Sequence, residues 1–176
     1  MSRLKLLIAY DGSPNAKAAV ASAAELFPGA EATLLYARQY MEGFAAHLEG
    51  HPALEKLGEL DAATLDASEL IAVQGAELAR GLGLVADPRV SSTMATASEV
   101  IVEAADELES DLIVLGSRGR RGLAATLLGS TSAEVLHHAT RPTLVIPSDE
   151  IALARRANRV PAASGSRDDT TPTAAG

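Results

Sequence analysis

The sequence predicts an α/β protein built on a parallel, doubly wound sheet. Short apolar runs without polar alternation recur along the chain, such as "LKLLIAY" at residues 4–10 and "DLIVLG" at residues 111–116. Such runs are typical of strands that are covered on both faces. Segments with helical spacing separate them, which gives about five strands and about four helices. Right-handed crossovers then place every strand-to-helix loop at the same edge of the sheet.

The first strand and helix are marked by "LKLLIAYDGSP". After the strand at residues 4–10, Ser13 suits the N-cap of a helix and Pro14 suits its first position. Pro28 and Gly29 end this helix. The residues that keep helical spacing on one face of it are Ala18, Ala19, Ser22, Ala23 and Leu26.

The middle of the chain continues the alternation. "ATLLYA" at residues 32–37 predicts a second buried strand, whereas residues 38–60 show no clean period and predict a long loop, with or without a short helical piece. Residues 61–81 predict a helix that "GLG" ends. "PRVSSTMA" at residues 88–95 predicts a third strand, and Ser98 is the expected cap of the helix that follows. The predicted apolar positions of the 61–81 helix include Leu65, Leu70, Ile71, Val73 and Leu78.

The last part of the domain holds a glycine-rich loop between two apolar runs. The strand at residues 111–116 runs into "GSRGRRGLAATLLGS". A helix is expected near residues 131–139, because "TSAE" at residues 131–134 matches a capping box. "RPTLVIP" at residues 141–147 predicts the closing strand.

Beyond the closing strand, residues 149–176 contain few large apolar groups and much Ala, Ser, Thr and Pro. This composition predicts a flexible or disordered tail, with a short helix over "EIALARRA" as the alternative. The predicted domain therefore covers residues 1–148.

Composition limits what the chain does. Apolar residues make up 47% of 176 residues, which is typical of a globular protein. A net charge of −8 and only 3% aromatic residues argue against a nucleic-acid partner. The absence of cysteine excludes disulfides and thiolate chemistry. No apolar run is long enough to span a membrane, and the N-terminus lacks a signal-peptide pattern, so we expect a cytoplasmic protein without a membrane partner.

The glycine-rich loop lies where ligands bind in open α/β sheets, so it is either a phosphate cradle or a mobile surface loop. Gly116 and Gly119 are expected to allow positive φ and close backbone approach. The helix start at Ser130 attracts anions, and Ser132 adds a hydroxyl donor. The loop is neither a Walker A motif nor a dinucleotide fingerprint. Positive charge comes from Arg118, Arg120 and Arg121.

Few side chains suggest catalysis. Asp11 follows the first strand at the same edge, where it either accepts a hydrogen bond from a ligand or forms an Asx-turn. No hydrolase or metalloprotease motif is present. His137 and His138 are adjacent on a helix, so one is expected to line the core and the other to face solvent. We therefore expect no catalytic residue and no protein-bound metal site, with weak ATPase activity as the alternative.

Two motifs together resemble a known family. The spacing G-x2-G-x9-G-S resembles the ATP-binding signature of the universal stress protein family, in its ATP-binding subgroup. "LLIAYDGSPNAKAA", "ATLLYA" and "RPTLVIP" resemble the first, second and closing strands of that family, so that the resemblance covers residues 4–147. The glycine signature consists of Gly116, Gly119, Gly129 and Ser130.

The resemblance implies a Rossmann-like three-layer sandwich with a five-stranded parallel sheet, a homodimer, and ATP as the ligand, with or without Mg²⁺. It implies that Asp11 contacts adenosine and that the backbone of Ala37 meets adenine. The glycine loop and the Gly-Ser helix start would hold ribose and phosphates. Together with Arg118, whose role is inferred from its charge, the expected binding residues are Asp11, Ala37, Leu115, Gly116, Gly119, Gly129, Ser130, Thr131 and Ser132.

The function that the sequence favours is an ATP-binding regulatory protein of the stress response, which reports nucleotide state to a protein partner that the sequence does not identify. One alternative is an enzyme acting on adenine nucleotides, either a weak ATPase or an adenylate hydrolase. The other is a dimeric scaffold that binds no nucleotide.

Overall fold

A computed structural model describes residues 3–39, 53–93, 95–117 and 128–157. In these ranges strands and helices alternate strictly along the chain. The strands are β1 (Lys5–Ala9), β2 (Glu31–Gln39), β3 (Val85–Thr93), β4 (Leu112–Gly116) and β5 (Thr143–Ile146). The helices are α1 (Pro14–Leu26), α2 (Ala53–Gly81), α3 (Ala97–Glu107), α4 (Ser130–His138) and α5 (Asp149–Ala157).

The five strands form one parallel sheet in the order β3-β2-β1-β4-β5, which confirms the predicted fold class. In the central strand, Leu7 is level with Thr33 of β2 and with Ile113 of β4. The chain runs outward from β1 to one edge and then returns to the other side of β1. The strand order therefore reverses between β1 and β4, which is where ligands bind in open α/β sheets.

Apolar cores cover both faces of the sheet. Ile8 and its alternate neighbours pack with α1 and α2 in one core. Leu7 packs with α3 and α4 in the other. Since both faces of the central strands are buried, their sequences are apolar without alternation.

Both helices on the first face bury mainly small residues. In α1 the buried positions are Ala16, Ala19, Val20, Ala23 and Ala24, whereas Leu26 is 56% exposed. In α2, Leu70 is 58% exposed, and Ala72, Ala76 and Ala79 face the core instead. Small residues let these helices lie close to the sheet, so the largest side chains do not mark the buried face.

Two boundaries in the middle of the chain differ from the prediction. Strand β2 continues to Gln39, and α2 begins at Ala53, eight residues before the predicted start at 61. The remainder of the predicted loop, residues 40–52, lies outside the described residues. In the described ranges, no helix has the length and hydropathy needed to cross a membrane.

The N-cap of α3 is Thr96, whereas the sequence predicts Ser98. The Thr96 hydroxyl accepts a hydrogen bond from the Glu99 N–H at 3.3 Å, and the Glu99 carboxylate accepts one from the Thr96 N–H at 2.8 Å. The Thr96 hydroxyl also donates to the Glu99 carboxylate at 2.8 Å. The two bonds that the carboxylate accepts, from the Thr96 backbone and from its hydroxyl, lower the pKa of Glu99 below its ordinary value. Ser98 lies inside the first turn, where it is buried.

Replacement of Thr96 by alanine is expected to lower the free energy of unfolding by about 1 kcal/mol, because a cap of α3 is lost. The pKa of Glu99 should rise towards its ordinary value. A lowered carboxyl pKa stabilises the fold above the unfolded-state pKa, and this contribution fades as the pH falls through the folded-state pKa. The difference in the free energy of unfolding between wild type and variant should therefore become smaller as the pH falls. Urea unfolding at several pH values measures it, with Thr96→Ser as the control that keeps the hydroxyl.

Part of the predicted tail is helical. Residues 149–157 form α5, in agreement with the alternative of a short helix over "EIALARRA". Ile151 is 7% exposed and Leu153 is 62% exposed, so one face of α5 is docked and the other is open. Residues 158–176 lie outside the described residues, and a domain boundary at 148 stays a prediction.

Candidate functional site

A cleft of about 770 Å³ opens at the carboxyl edge of the sheet, where the strand order reverses. The ends of β1, β2 and β4 form its floor, and the first turns of α3 and α4 form its walls. Its volume lies in the range of small-molecule sites. The topology therefore places the candidate site where the sequence analysis expected it.

The cleft brings together the predicted binding residues that the structure describes. Arg118 and Gly119 belong to the prediction but lie outside the described residues, as do Arg120 and Arg121. The others, which line the cleft, are Asp11, Ala37, Leu115, Gly116, Gly129, Ser130, Thr131 and Ser132. Their binding roles stay predictions, since the geometry shows only that they share one cleft.

Strand β2 offers an open backbone edge at Ala37. The pairing of β1 with β2 ends at Ala9 and Leu35, and the Leu35 carbonyl accepts a hydrogen bond from the Tyr10 N–H at 2.9 Å. Backbone groups of a strand alternate in direction, so Ala37 points to the same side as Leu35. At that level β1 has ended, although β2 still pairs with β3 as far as Gln39. The N–H and C=O of Ala37 are therefore directed into the cleft.

Asp11 forms an Asx-turn and also lines the cleft. Its Oδ1 accepts a hydrogen bond from the Ser13 N–H at 3.0 Å, so the structural alternative is present in the fold. The turn requires Gly12, whose φ is +78°. Burial, followed by the nearby charge of Asp11, raises the pKa of Tyr10 above its ordinary value. The Asp11 carboxylate is thus held in place at the mouth of the cleft.

Helix α4 begins at the cleft without a side-chain cap. Its N-cap is Gly129, and among the described residues no side chain forms a cap hydrogen bond there. The capping box predicted over residues 131–134 is therefore wrong. Instead, the carboxylate of Glu134 accepts a hydrogen bond from the Ser98 hydroxyl of α3 at 2.5 Å. The first N–H groups and the positive end of the helix dipole remain available to an anion.

Ser132 and Gly116 have structural duties that the sequence did not reveal. The buried Ser132 hydroxyl donates to the Gly116 carbonyl at 2.8 Å, so its proton is directed to β4. Gly116 does not have the positive φ that was expected; among described glycines, that conformation belongs to Gly12, Gly29 and Gly83. A Cβ at Gly116 would lie 2.7 Å from the backbone carbon of Asn15. Glycine is required here because β4 packs closely against α1, so the close approach is to the protein itself and not to a ligand.

The cleft contains a buried cation that was not predicted from the sequence. Arg38 is 4% exposed, forms an ion pair with the Asp61 carboxylate, and donates to the Asp61 carbonyl at 2.8 Å. Asp61 belongs to the segment of α2 that follows the predicted loop. Burying Arg38 is tolerated because its charge is paired.

The two histidines also differ from expectation. His137 and His138 are both exposed, with their rings in edge-to-face contact at a centroid distance of 4.7 Å, so neither lines the core. Helix α4 is short and packs mainly through Val135 and Ser132. Among the described residues, no group of three His, Asp or Glu side chains is arranged to hold a metal ion.

Comparison with known proteins agrees with the fold and its cleft. The profile of the Universal stress protein family matches residues 3–147. A universal stress protein of Thermus aquaticus is 32% identical over 143 residues, which cover 80% of this chain and 96% of that protein.

Solved structures show the same fold. The hypothetical protein MJ0577 superposes with a TM-score of 0.68 at 21% identity, covering 84% of this chain and 97% of its own. The universal stress protein of Archaeoglobus fulgidus, in complex with dAMP, superposes with a TM-score of 0.55 at 18% identity, covering 83% of this chain and 99% of its own. With the match to the family profile and to the Thermus protein, these likenesses agree with the resemblance found in the glycine signature and the strands. The chain belongs to the universal stress protein family.

Proposed function

We propose that this universal stress protein binds ATP in the cleft and acts as a regulatory nucleotide sensor. The observation that carries the proposal is the pairing of two features in one cleft. One is the open N–H and C=O of Ala37, and the other is the uncapped first turn of α4 at Gly129. A backbone edge and an anion site together suit a nucleotide.

The edge at Ala37 favours adenine over guanine. A backbone N–H is complementary to the N1 acceptor of adenine, and the neighbouring C=O is complementary to its N6 amino group. Guanine presents the opposite pattern, an acceptor at O6 and a donor at N1. The dAMP held by the Archaeoglobus fulgidus protein supports an adenine ligand. Asp11, at the mouth of the cleft, is the proposed acceptor for adenosine.

The phosphate end is proposed to lie at the first turn of α4. The N–H groups of Ser130 and Thr131 and the Ser130 hydroxyl are the donors at this end. Arg118 and Gly119 are proposed to add charge and close backbone approach. Mg²⁺ bound to the phosphates would offset the negative charge that Asp11 and Glu134 bring to the cleft.

A regulatory role is favoured over catalysis. Among the described residues that line the cleft, both carboxylates accept hydrogen bonds within the protein, Asp11 from Ser13 and Glu134 from Ser98. Neither is poised as a base beside a phosphoryl group, so we propose slow or absent hydrolysis. We also propose a homodimer formed through β5, an edge strand whose residues are half-buried.

Calorimetric titration with ATP and GTP, each with and without Mg²⁺, tests the proposal on protein freed of co-purified nucleotide. We expect saturable ATP binding, with GTP at least about tenfold weaker because it leaves the Ala37 groups unpaired. Phosphate release measured in the same samples should stay near that of buffer. Absence of ATP binding would leave the scaffold alternative, and rapid release would favour the enzyme.

A further inference from the structure

One part-buried junction joins the wall of the cleft to the C-terminal helix. The side-chain oxygen Oδ1 of Asn15, in the first turn of α1, accepts hydrogen bonds from two other segments. The Ser148 N–H, just before α5, donates at 3.2 Å, and the Ser117 hydroxyl, just after β4, donates at 3.4 Å. Ser117 and Ser148 are both buried. Asn15 therefore connects three elements with one acceptor atom, and it does so without lining the cleft.

Ser117 carries this junction to the proposed phosphate end. Its carbonyl accepts a hydrogen bond from the Gly129 N–H at 2.8 Å, and its N–H donates to the Ile146 carbonyl at 2.7 Å. Gly129 is the N-cap of α4. The position of the α4 first turn thus depends on Ser117, whose side chain depends on Asn15.

Ser148 carries the junction in the other direction. Its carbonyl accepts from the Ala152 N–H at 2.8 Å, which begins the hydrogen-bonding ladder of α5. Its hydroxyl approaches the Ile151 N–H at 3.5 Å, and Ile151 is the buried residue of α5. Both the start of α5 and its docked side chain are therefore anchored beside Asn15.

We propose that Asn15 is a positioning residue that links phosphate binding at the α4 N-terminus to the docking of α5. This inference rests on the proposed nucleotide function. Binding of a phosphate chain fixes the α4 first turn and, through Ser117 and Asn15, holds Ser148 and α5. Because such coupling is reciprocal, docked α5 also favours the nucleotide that carries phosphates. The C-terminal helix then reports whether a phosphorylated nucleotide is bound.

The test compares ATP with adenosine in the wild type and in Asn15→Ala. Asn15→Ala should weaken ATP binding by about fivefold to tenfold and change adenosine binding by less than about twofold. Hydrogen exchange of residues 149–157 should slow when ATP, but not adenosine, saturates the wild type. That response should be absent in Asn15→Ala, in which residues 149–157 should exchange fast both with and without ATP.

Two further variants test which hydrogen bonds of the junction matter, and a third serves as a control. Asn15→Asp keeps an acceptor oxygen, so it should restore slow exchange in the ligand-free state. Ser117→Ala removes only the arm towards β4, so it should weaken ATP binding while ligand-free exchange of 149–157 stays near that of the wild type. Lys17→Ala, an exposed position on the same helix, should match the wild type in both measurements.

The outcomes distinguish this inference from the proposed function. If the wild type binds ATP but exchange of 149–157 does not respond, the linkage is wrong and nucleotide binding stands. The same holds if Asn15→Ala or Ser117→Ala weakens ATP and adenosine equally. If the wild type binds neither ligand, the proposed function is wrong and the linkage falls with it.

Discussion

Replacement of Gly116 by alanine is expected to lower the free energy of unfolding by about 2–3 kcal/mol. The added Cβ would lie 2.7 Å from both the backbone carbon and the Cβ of Asn15, and 2.8 Å from its carbonyl oxygen. These atoms belong to the first turn of α1, which Ser13 caps through the Ala16 N–H at 3.1 Å. A backbone held in this way does not move aside as a flexible side chain would, so α1 and β4 must separate.

The matched control is Gly81→Ala at the end of α2. A Cβ there would meet no atom within 4 Å, and Gly81 does not have a positive φ. Alanine is the better helix former, so stability should be unchanged or raised by up to about 1 kcal/mol. Urea unfolding of both variants, with m-values checked against wild type, measures the difference. Equal stability of the two variants would show that the contact between β4 and α1 relaxes at little cost.

Gly116 also shows which features of the site could be predicted from the sequence and which could not. Gly116 lines the cleft, but the expected reason for a glycine there was a positive φ and close approach to a ligand. The observed reason is a contact with Asn15, 101 residues away in the chain. A glycine between an apolar strand and a loop gives no local signal that distinguishes these causes. The place of the loop follows from topology, whereas the need for glycine follows from packing.

The capping boxes make the same point. "TASE" at residues 96–99 and "TSAE" at residues 131–134 contain the same four residue types and fit the same motif. Only the first forms a capping box, because α4 begins at Ser130 and Thr131 already lies inside it. The Glu134 carboxylate accepts a hydrogen bond from Ser98 of the neighbouring helix instead. Local motifs predict where a helix begins to within two residues. They do not predict which side chain caps it when a tertiary partner competes.

The fold was more predictable than the buried face of its helices. Strands covered on both sides, such as β1 and β4, must be apolar throughout, and this leaves a strong signal in the sequence. The alanine-rich α1 and α2 carry little contrast between faces, so no local signal shows that Leu26 and Leu70 lie outside the core. The ion pair of Arg38 with Asp61 was missed for another reason. It joins a strand to a helix across a segment with no periodicity.

Replacement of Ala37 by proline is expected to weaken ATP binding by about a hundredfold, which corresponds to ~2.7 kcal/mol, while the protein stays folded. Proline removes the N–H that the proposed site uses for adenine, and its ring occupies the space in front of it. The fold tolerates this change because the N–H of Ala37 points to the side where β1 has ended. No ladder hydrogen bond to β3 depends on it. Tyr36, the preceding residue, is already extended, as proline requires.

Ala37→Ser is the control that keeps the N–H with a side chain of similar size, and it should bind ATP as the wild type does. Circular dichroism and urea unfolding establish that both variants are folded, and calorimetry measures the affinities. Ala37→Pro should weaken the binding of adenosine as well as that of ATP. Asn15→Ala should weaken only the part of the ATP affinity that the phosphates contribute. A folded Ala37→Pro that binds ATP with wild-type affinity would contradict adenine recognition at this edge. If Ala37→Pro is the only variant that loses both ligands, the base lies at the open end of β2. The length of the nucleotide then places its phosphates towards α4.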